Sequence, residues 1–263
     1  LGASGNSNSN NTAVGMNALL SITTGSGNVA VGAGAGDGTD DGTGNTVVGN
    51  DALSANCAND NTAVGQYALA ACTGGSNTCV GQVAGYGVTS GSNNLFIGKD
   101  AGRTGSPGGN QTTGDNQVAL GDENITSSHI QVDWQIASDA RDKTDFTALD
   151  LGLGFVKALN PVTYKWDKRS KYIDKNDPTV NLDEVTHDGT HKEDWLDVGF
   201  KAQEVEALEK ASGYKIADKT NLTTSLTSDG KQYGIQYSKF VPILVKAVQE
   251  LSAKNETLEA RVK

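Results

Sequence analysis

The sequence predicts a β-solenoid that is followed by an α+β domain ending in a coiled-coil helix. Three observations support this fold class: a repeat of 16 or 17 residues, a sharp change in composition, and a 3-4 spacing of apolar residues near the C-terminus. Residues 1–137 hold 26 of the 33 Gly but only 2 of the 21 Lys and Arg. Such unlike compositions predict two domains, at residues 1–137 and 138–263.

The repeat has the form N-x-x-[VI]-G-x-x-A-[LG] and is followed by a polar turn rich in Gly, Ser, Thr and Asn. A unit this short cannot hold a helical hairpin, and its mostly β-branched segments are typical of short strands. Stacked copies predict a β-solenoid or β-roll, in which Thr12 and Val14 face away from Ala13. One narrow coil encloses little apolar volume, so self-association is expected. The six copies begin at Asn11, Asn28, Asn45, Asn61, Asn77 and Asn94, and a degenerate seventh begins at Asn116.

Composition argues against several classes of function. The net charge is −10, and residues 1–137 carry 10 acidic side chains against 2 basic ones, which disfavours a nucleic-acid partner. No apolar run approaches the roughly 20 residues of a membrane-spanning helix. Motifs for phosphate loops, nucleophile elbows and zinc proteases do not occur, so no cofactor, no metal and no external substrate are expected. The chain starts at Leu1 without a secretion-signal pattern, and further sequence is expected upstream.

The cysteines and histidines indicate neither a disulfide framework nor a metal site. Cys57, Cys72 and Cys79 are odd in number and lack C-x-x-C spacing, so free buried thiols are favoured over a Cys57–Cys72 disulfide. His187 and His191 have the spacing of metal ligands on a helix. The Gly between them and the polar surroundings favour solvated histidines instead.

The second half shows the patterns of a mixed α+β domain. Its apolar periodicity predicts a helix over 147–159, a strand over 162–166, a strand running into a helix over 199–209, and a strand over 232–237. A long helix is then expected to continue to the C-terminus.

The C-terminal helix carries apolar residues at alternating intervals of 3 and 4, which predicts a coiled coil from about residue 238. A parallel trimer of this helix would align three chains, and alignment matters because a slip in stacked strands mispairs the whole core. The alternative is a single amphipathic helix packed on its own domain. The stripe consists of Val241, Leu244, Val248, Leu251, Asn255, Leu258 and Val262.

A short motif, Ser138-Asp-Ala-Arg-Asp-Lys143, lies where the composition changes. By itself, a Ser five residues before a Lys indicates no more than a solvated surface pair. Two further blocks follow in order, Val198-Gly-Phe-Lys-Ala-Gln-Glu-Val205 and the helical segment 237–251. Together the three blocks resemble the intramolecular chaperone domain of phage tailspikes and tail fibres, the S74 peptidase family, across residues 138–263.

The repeats over about residues 6–122 resemble a second group of proteins. Their periodic Asn and Gly are similar to the head repeats of trimeric autotransporter adhesins and to related repeats of phage tail fibres, although the period here is slightly longer. Those repeats form trimeric left-handed β-rolls. The resemblance therefore implies a homotrimer.

The resemblance to the S74 family also implies a chemistry for the junction. Ser138 would be the nucleophile and Lys143 its general base in a single cut of the Ala137–Ser138 bond, made after assembly. Only a neutral amine accepts the seryl proton, and burial favours the neutral form. Asp139 and Arg141 are expected to hold the geometry of the motif as an ion pair.

The leading functional hypothesis is the C-terminal part of a phage tail fibre or tailspike. Its domain 138–263 would drive trimerisation and folding of the β-repeat fibre and then cut the Ala137–Ser138 bond, and the sequence does not decide whether the domain stays attached after the cut. The expected location is the virion, after assembly in the host cytoplasm, and the repeat part would contact a host-cell receptor or glycan. The alternative is an uncleaved adhesive surface trimer whose C-terminal domain is an assembly clamp. A polysaccharide depolymerase is disfavoured because the acidic residues of the repeats are scattered through turns.

Overall fold

A computed structural model of the chain describes residues 8–177 and 180–262. The chain forms two compact units, and each unit contains segments from distant parts of the sequence. The first comprises Leu1–Thr126, Asp167–Lys192 and Thr227–Gln232. The second comprises Ser127–Trp166, Glu193–Leu226 and Tyr233–Lys263. The division of the sequence into residues 1–137 and 138–263 stays a prediction, since the compact units follow different boundaries.

The first unit is built on a β-solenoid, as predicted. Its seven strands form one parallel sheet in chain order, and equivalent residues of the repeats stand beside each other, as Ala30, Val47 and Ala63 do. The strands are β1 Thr12–Val14, β2 Val29–Val31, β3 Thr46–Val48, β4 Thr62–Val64, β5 Thr78–Val80, β6 Leu95–Ile97 and β7 Val118–Leu120.

The two sides of this sheet differ as the alternation predicts. The middle residue of every strand points into the coil, where Val47 and Phe96 are fully buried. The alanine that follows each of the first six strands is buried as well. The first and third residues of each strand point outward, and Val31 and Ile97 leave 38% and 44% of their surface exposed. We call this outward row of β1–β7 the outer face; most of its side chains are β-branched.

The repeated Asn residues form a hydrogen-bonded column inside the solenoid. The Asn28 Oδ1 accepts the backbone N–H of Asn45 at 2.8 Å, and its Nδ2 donates to the carbonyl of Gly42 at 2.8 Å. The same two bonds recur in most coils from Asn11 to Asn94, so each amide satisfies backbone groups that would otherwise be buried without partners. The sequence shows these residues, but only the stacking shows what they bond.

One coil departs from this pattern. The carbonyl that should accept from Asn45 belongs to Ala58, whereas the other coils have Gly at that position. Ala58 accepts from Asn61 instead, at 3.2 Å. The Asn45 Nδ2 is buried and has no hydrogen-bond partner among the residues that the structure describes.

The glycine that ends each strand is required by a close approach between coils. Gly49 has a φ of +138°, and a Cβ there would lie 2.5 Å from the carbonyl oxygen of Gly65 in the next coil. A side chain at this position would both strain the backbone and collide with it. The Gly of the repeat therefore sets the spacing of the stack.

The three cysteines lie in the solenoid core and are free, as the favoured interpretation held. Burial raises the pKa of Cys72 to about 11 and that of Cys79 to about 12. Both thiols therefore stay protonated at neutral pH, which makes them poor nucleophiles.

The second unit has a small core covered by two hairpin-like pairs of strands and three helices. Strands β8 Val162–Tyr164 and β9 Asp197–Gly199 pair antiparallel, as do β10 Thr224–Leu226 and β11 Tyr233–Ile235. The helices are α1 Leu153–Ala158, α2 Ala202–Ala211 and α3 Phe240–Val262. The core contains Leu151, Phe155, Val205, Phe240 and Ile243. No helix among the described residues is long and apolar enough to cross a membrane.

Helix α1 is shorter than the predicted helix over 147–159. It begins only after Gly152, where the Leu153 N–H donates to the Glu250 Oε2 of α3 at 2.9 Å. A Cβ on Gly152 would lie 2.4 Å from the Glu250 Oε1, so the glycine allows this approach. Glu250, on another helix, thus accepts a hydrogen bond from an N-terminal amide of α1. The apolar pattern of residues 147–159 could not show this contact.

Glu209 is a fully buried carboxylate that joins α2 to β10. Its oxygens accept the backbone N–H of Thr223 at 2.5 Å and the Thr223 hydroxyl at 2.7 Å, and they also accept the Thr224 hydroxyl. Burial by itself raises the pKa of Glu209, but the hydrogen bonds from Thr224 and Thr223 outweigh it and the pKa is lowered. The charged form is therefore the one that the fold stabilises.

Replacing Glu209 by Gln is expected to lower the free energy of unfolding by about 3 kcal/mol, because an amide presents a donor to groups that are donors themselves. Because the folded pKa is lowered, the stabilisation from Glu209 is present above its unfolded pKa and is lost as the pH falls through the folded value. Denaturant unfolding between pH 3 and 7 measures both effects. Glu206→Gln on the same helix is the control and should change little; equal losses in the two variants would contradict the assigned role.

Candidate active site

The segment Ser138–Lys143 is folded back on itself by a single 3-10 turn at Ala140–Asp142. Asp139 precedes the turn, and its Oδ1 accepts the N–H of Arg141 at 2.9 Å. Short Asp side chains favour this N-cap position because they bond backbone amides that have no partner within the turn. The turn brings together Ser138 and Lys143, which five extended residues would hold far apart.

Ser138 and Lys143 are in direct contact. The Lys143 Nζ lies 2.6 Å from the Ser138 Oγ and 3.3 Å from the Ser138 carbonyl oxygen. A general base must lie within about 2.6–3.2 Å of the oxygen whose proton it removes. The predicted nucleophile and base therefore have the required distance, and their catalytic roles stay a prediction.

Asp139 and Arg141 form an ion pair beside this contact. The Arg141 Nη2 lies 2.6 Å from the Asp139 Oδ2, and its Nε donates to both carboxylate oxygens at 3.1 Å. Hydrogen bonds from the Arg141 side chain hold the pKa of Asp139 below its usual range. This ion pair joins the residue before the turn to a residue within it. Its expected role in holding the geometry of the motif stays a prediction.

The whole junction is exposed in the single chain. Every residue from 124 to 148 is exposed, including Ser138, Lys143 and the predicted scissile bond. Self-cleavage is expected to need a neutral lysine, which burial favours. The described residues of the single chain leave Lys143 exposed.

Apolar side chains alternate along the segment that leads to Ser138. Ile130, Val132, Trp134 and Ile136 are separated by single polar residues, and each has at least half of its surface exposed. In an extended chain these four side chains share one side. This period-2 alternation was not among the sequence-based predictions, although the amino-acid sequence shows it.

The predicted stripe of α3 is also exposed. Phe240, Ile243 and Ala247 are the buried residues of the helix and pack on its own unit. Val248 is 65% exposed, and the stripe runs beside the buried residues, because Leu251 and Leu258 follow Phe240 by close to whole helical turns. The helix therefore packs one apolar side within the chain, and the adjoining apolar stripe is exposed among the described residues.

A family model, Peptidase_S74, described as the chaperone of endosialidase, matches residues 138–214. This range is therefore similar to the chaperone-of-endosialidase domain. The match includes the first two sequence blocks, while the block at 237–251 lies beyond its end. No curated protein and no solved structure matches the chain.

The match confirms the resemblance that the motifs indicated. A chaperone-of-endosialidase domain combined with a β-solenoid indicates a tail-fibre-like protein with an intramolecular chaperone.

Within the described residues, no group of three or more His, Cys, Asp or Glu side chains is arranged to hold a metal ion. His187 and His191 are exposed, and each ring contacts the ring of Tyr172, with centroids 5.6 Å and 4.7 Å away.

Proposed function

We propose that the chain is the C-terminal part of a phage tail fibre or tailspike, in which the chaperone domain assembles three chains and then cuts the Ala137–Ser138 bond. The observation that carries the proposal is the 2.6 Å contact between the Lys143 Nζ and the Ser138 Oγ. Two facts support it: the family match begins at Ser138, and the family bears a peptidase name.

The cut requires two chemical steps. In the first, Lys143 takes the hydroxyl proton, the Ser138 Oγ attacks the carbonyl carbon of Ala137, and the C–N bond breaks as the Ser138 nitrogen receives a proton. The product is an ester between Ala137 and the Ser138 side chain. In the second, water hydrolyses the ester, which leaves a carboxylate on Ala137 and restores the Ser138 hydroxyl. The bond is consumed, so each chain turns over once.

A homotrimer supplies what the single chain lacks. The outer face of β1–β7 and the α3 stripe are two apolar surfaces exposed on one chain, and contiguous exposed apolar surface indicates an interface. The alternating segment 130–136 adds a third such surface directly before the scissile bond. Burial of this segment between chains would desolvate Lys143 and favour its neutral form. Cleavage would then report completed assembly.

The trimer proposal also fits the solenoid itself. Its core consists largely of small side chains, chiefly Ala, with fewer Leu, Cys and Val, and one coil of this kind buries little apolar area. Association along the outer face would add the missing burial over all seven strands. In the virion, the assembled solenoid would present its turns to a host-cell receptor or glycan.

The competing proposal is an uncleaved adhesive trimer in which residues 138–263 act as an assembly clamp. The exposure of Lys143 favours it, because the single chain does not bury the amine as self-cleavage would require.

Denaturing mass analysis of the expressed chain separates the two. Self-cleavage gives fragments 1–137 and 138–263 from the wild type and an intact Ser138→Ala chain. A wild-type chain that forms trimers but stays whole would establish the clamp instead.

A further inference from the structure

A buried cluster of charges lies in the first unit, near the last coil of the solenoid. The Lys175 Nζ is 2.6 Å from the Glu123 Oε2, 3.7 Å from the Asp100 Oδ2 and 4.0 Å from the Asp122 Oδ2. The Lys175 side chain is only 13% exposed, and those of its three partners are less exposed still. We call these four residues the Lys175 cluster. Its three carboxylates all precede the predicted cut, whereas the lysine follows it.

Arg103 adds a second connection between residues that precede the predicted cut and residues that follow it. Its Nη1 donates to the Asp100 Oδ1 at 2.7 Å, and its Nη2 donates to the Lys175 carbonyl at 3.0 Å and to the Asn176 Oδ1 at 3.2 Å. The guanidinium also lies 5.0 Å from the centre of the Tyr86 ring. Arg103 is the only arginine among residues 1–137, and it is used to hold the backbone of the segment 167–192.

The loop 227–232 makes an independent set of contacts. The Asp229 Oδ2 accepts the backbone N–H of Asn110 at 3.0 Å, and the Ser228 hydroxyl donates to the Gln111 Oε1 at 3.1 Å. Two segments that follow Ser138 therefore bond to three places that precede it, all within one compact unit.

Close packing accompanies these polar contacts. Gly105, with a φ of +92°, allows Ser170 to approach so closely that a Cβ on the glycine would lie 2.4 Å from the Ser170 Cβ. Ser170 is buried, and the neighbouring Lys168 Nζ donates to the Glu123 carbonyl at 2.8 Å. The segment 167–192 is thus fitted to the end of the solenoid by both shape and charge.

We infer that the fragment 138–263 stays bound to the solenoid after the Ala137–Ser138 bond is cut, held by the Lys175 cluster and by the loop 227–232. The cut removes one peptide bond in an exposed segment and none of the contacts described above. Separation would leave three neighbouring carboxylates without the positive charge of Lys175. Repulsion between like charges at this distance opposes that separation. The inference rests on the proposed cleavage for its biological meaning, but the contacts can be tested without it.

The test uses the full chain with Ser138→Ala, so that self-cleavage plays no part, and with the recognition sequence of a site-specific protease inserted between Ser128 and His129. After the added protease has cut, size-exclusion chromatography in native buffer and mass analysis of each fraction show whether the two fragments separate. Retention predicts co-elution in buffer and separation in denaturant. Separation of the parent fragments in native buffer would overturn the inference, whatever the result for self-cleavage.

Two variants assign the retention to the named contacts. Lys175→Met should speed separation of the fragments about 100-fold, because it leaves the buried carboxylates without their cation. Lys99→Met is the matched control: Lys99 also lies near the Asp100 Oδ2, at 3.8 Å, but it precedes the cut and its side chain is 65% exposed. Asp229→Ala, at the second contact, should also speed separation and covers the case in which Lys175→Met fails to fold. Separation as slow in Lys175→Met and Asp229→Ala as in Lys99→Met would overturn the assignment.

Discussion

Replacing Lys143 by Met is expected to leave the chain whole, with no detectable fragment 138–263 under conditions that cut the wild type. Methionine has a similar length and removes only the amine, so the turn at Ala140–Asp142 should persist. Without a base 2.6 Å from its Oγ, Ser138 keeps its proton and remains a weak nucleophile. Denaturing mass analysis over several hours of incubation measures the loss.

Arg141→Met is the matched control for this prediction. It also removes one positive charge from the same turn, but Arg141 bonds Asp139 through its side chain rather than Ser138. We expect this variant to cut, with a rate reduced by no more than about 10-fold, because the cap from Asp139 to the Arg141 backbone N–H does not need the Arg141 side chain, whereas a general base contributes about 100-fold or more. Equal loss in both variants would show that the turn matters and the amine does not.

Introducing Asp at Leu251 and Leu258 together is expected to abolish both trimer formation and cleavage. Both leucines are exposed in the single chain, so neither change disturbs the core around Ile243. In a trimeric coiled coil they would face the seam, where three buried carboxylates at one level repel each other. Light scattering should show a threefold lower molar mass, and mass analysis should show an uncut chain.

The control for the helix places the same charges outside the stripe, as Ala253→Asp with Ala260→Asp. Both alanines are exposed and lie opposite the predicted seam. This variant should remain trimeric and should cut like the wild type. A trimer that survives the changes at Leu251 and Leu258 would make the coiled coil dispensable and would place the interface on the outer face of the solenoid and the segment 130–136.

The solenoid was predictable because its information is local and repeated. Each strand shows its type through a few β-branched residues between Asn and Gly, and six copies make the period plain. The partner of each Asn amide was not predictable, because it lies one coil away and depends on how the coils stack. The shortened α1 has the same cause, since its first amide is satisfied by Glu250 from a distant helix.

The candidate site likewise has a part that the sequence predicts and a part that it does not. Ser138 and Lys143 are five residues apart, so one local turn decides whether they meet, and the motif identified both. Arg103 and Lys175 are 72 residues apart and carry no shared motif, so no local pattern could reveal that segment 167–192 belongs with the solenoid. The burial that the proposed chemistry needs at Lys143 is not seen in the described residues, because the residues around it are exposed to solvent.

The most direct test of assembly-dependent self-cleavage follows the cut during synthesis at different chain concentrations. Cell-free translation of the wild type at graded template amounts, sampled over time by denaturing mass analysis, gives the rate at which the fragment beginning at Ser138 appears. We predict that the fraction cut per unit time rises steeply with chain concentration and that Ser138→Ala gives no fragment at any concentration. A cut fraction that is independent of concentration, a cut at another bond, or no cut in fully trimeric wild-type protein would contradict the proposal.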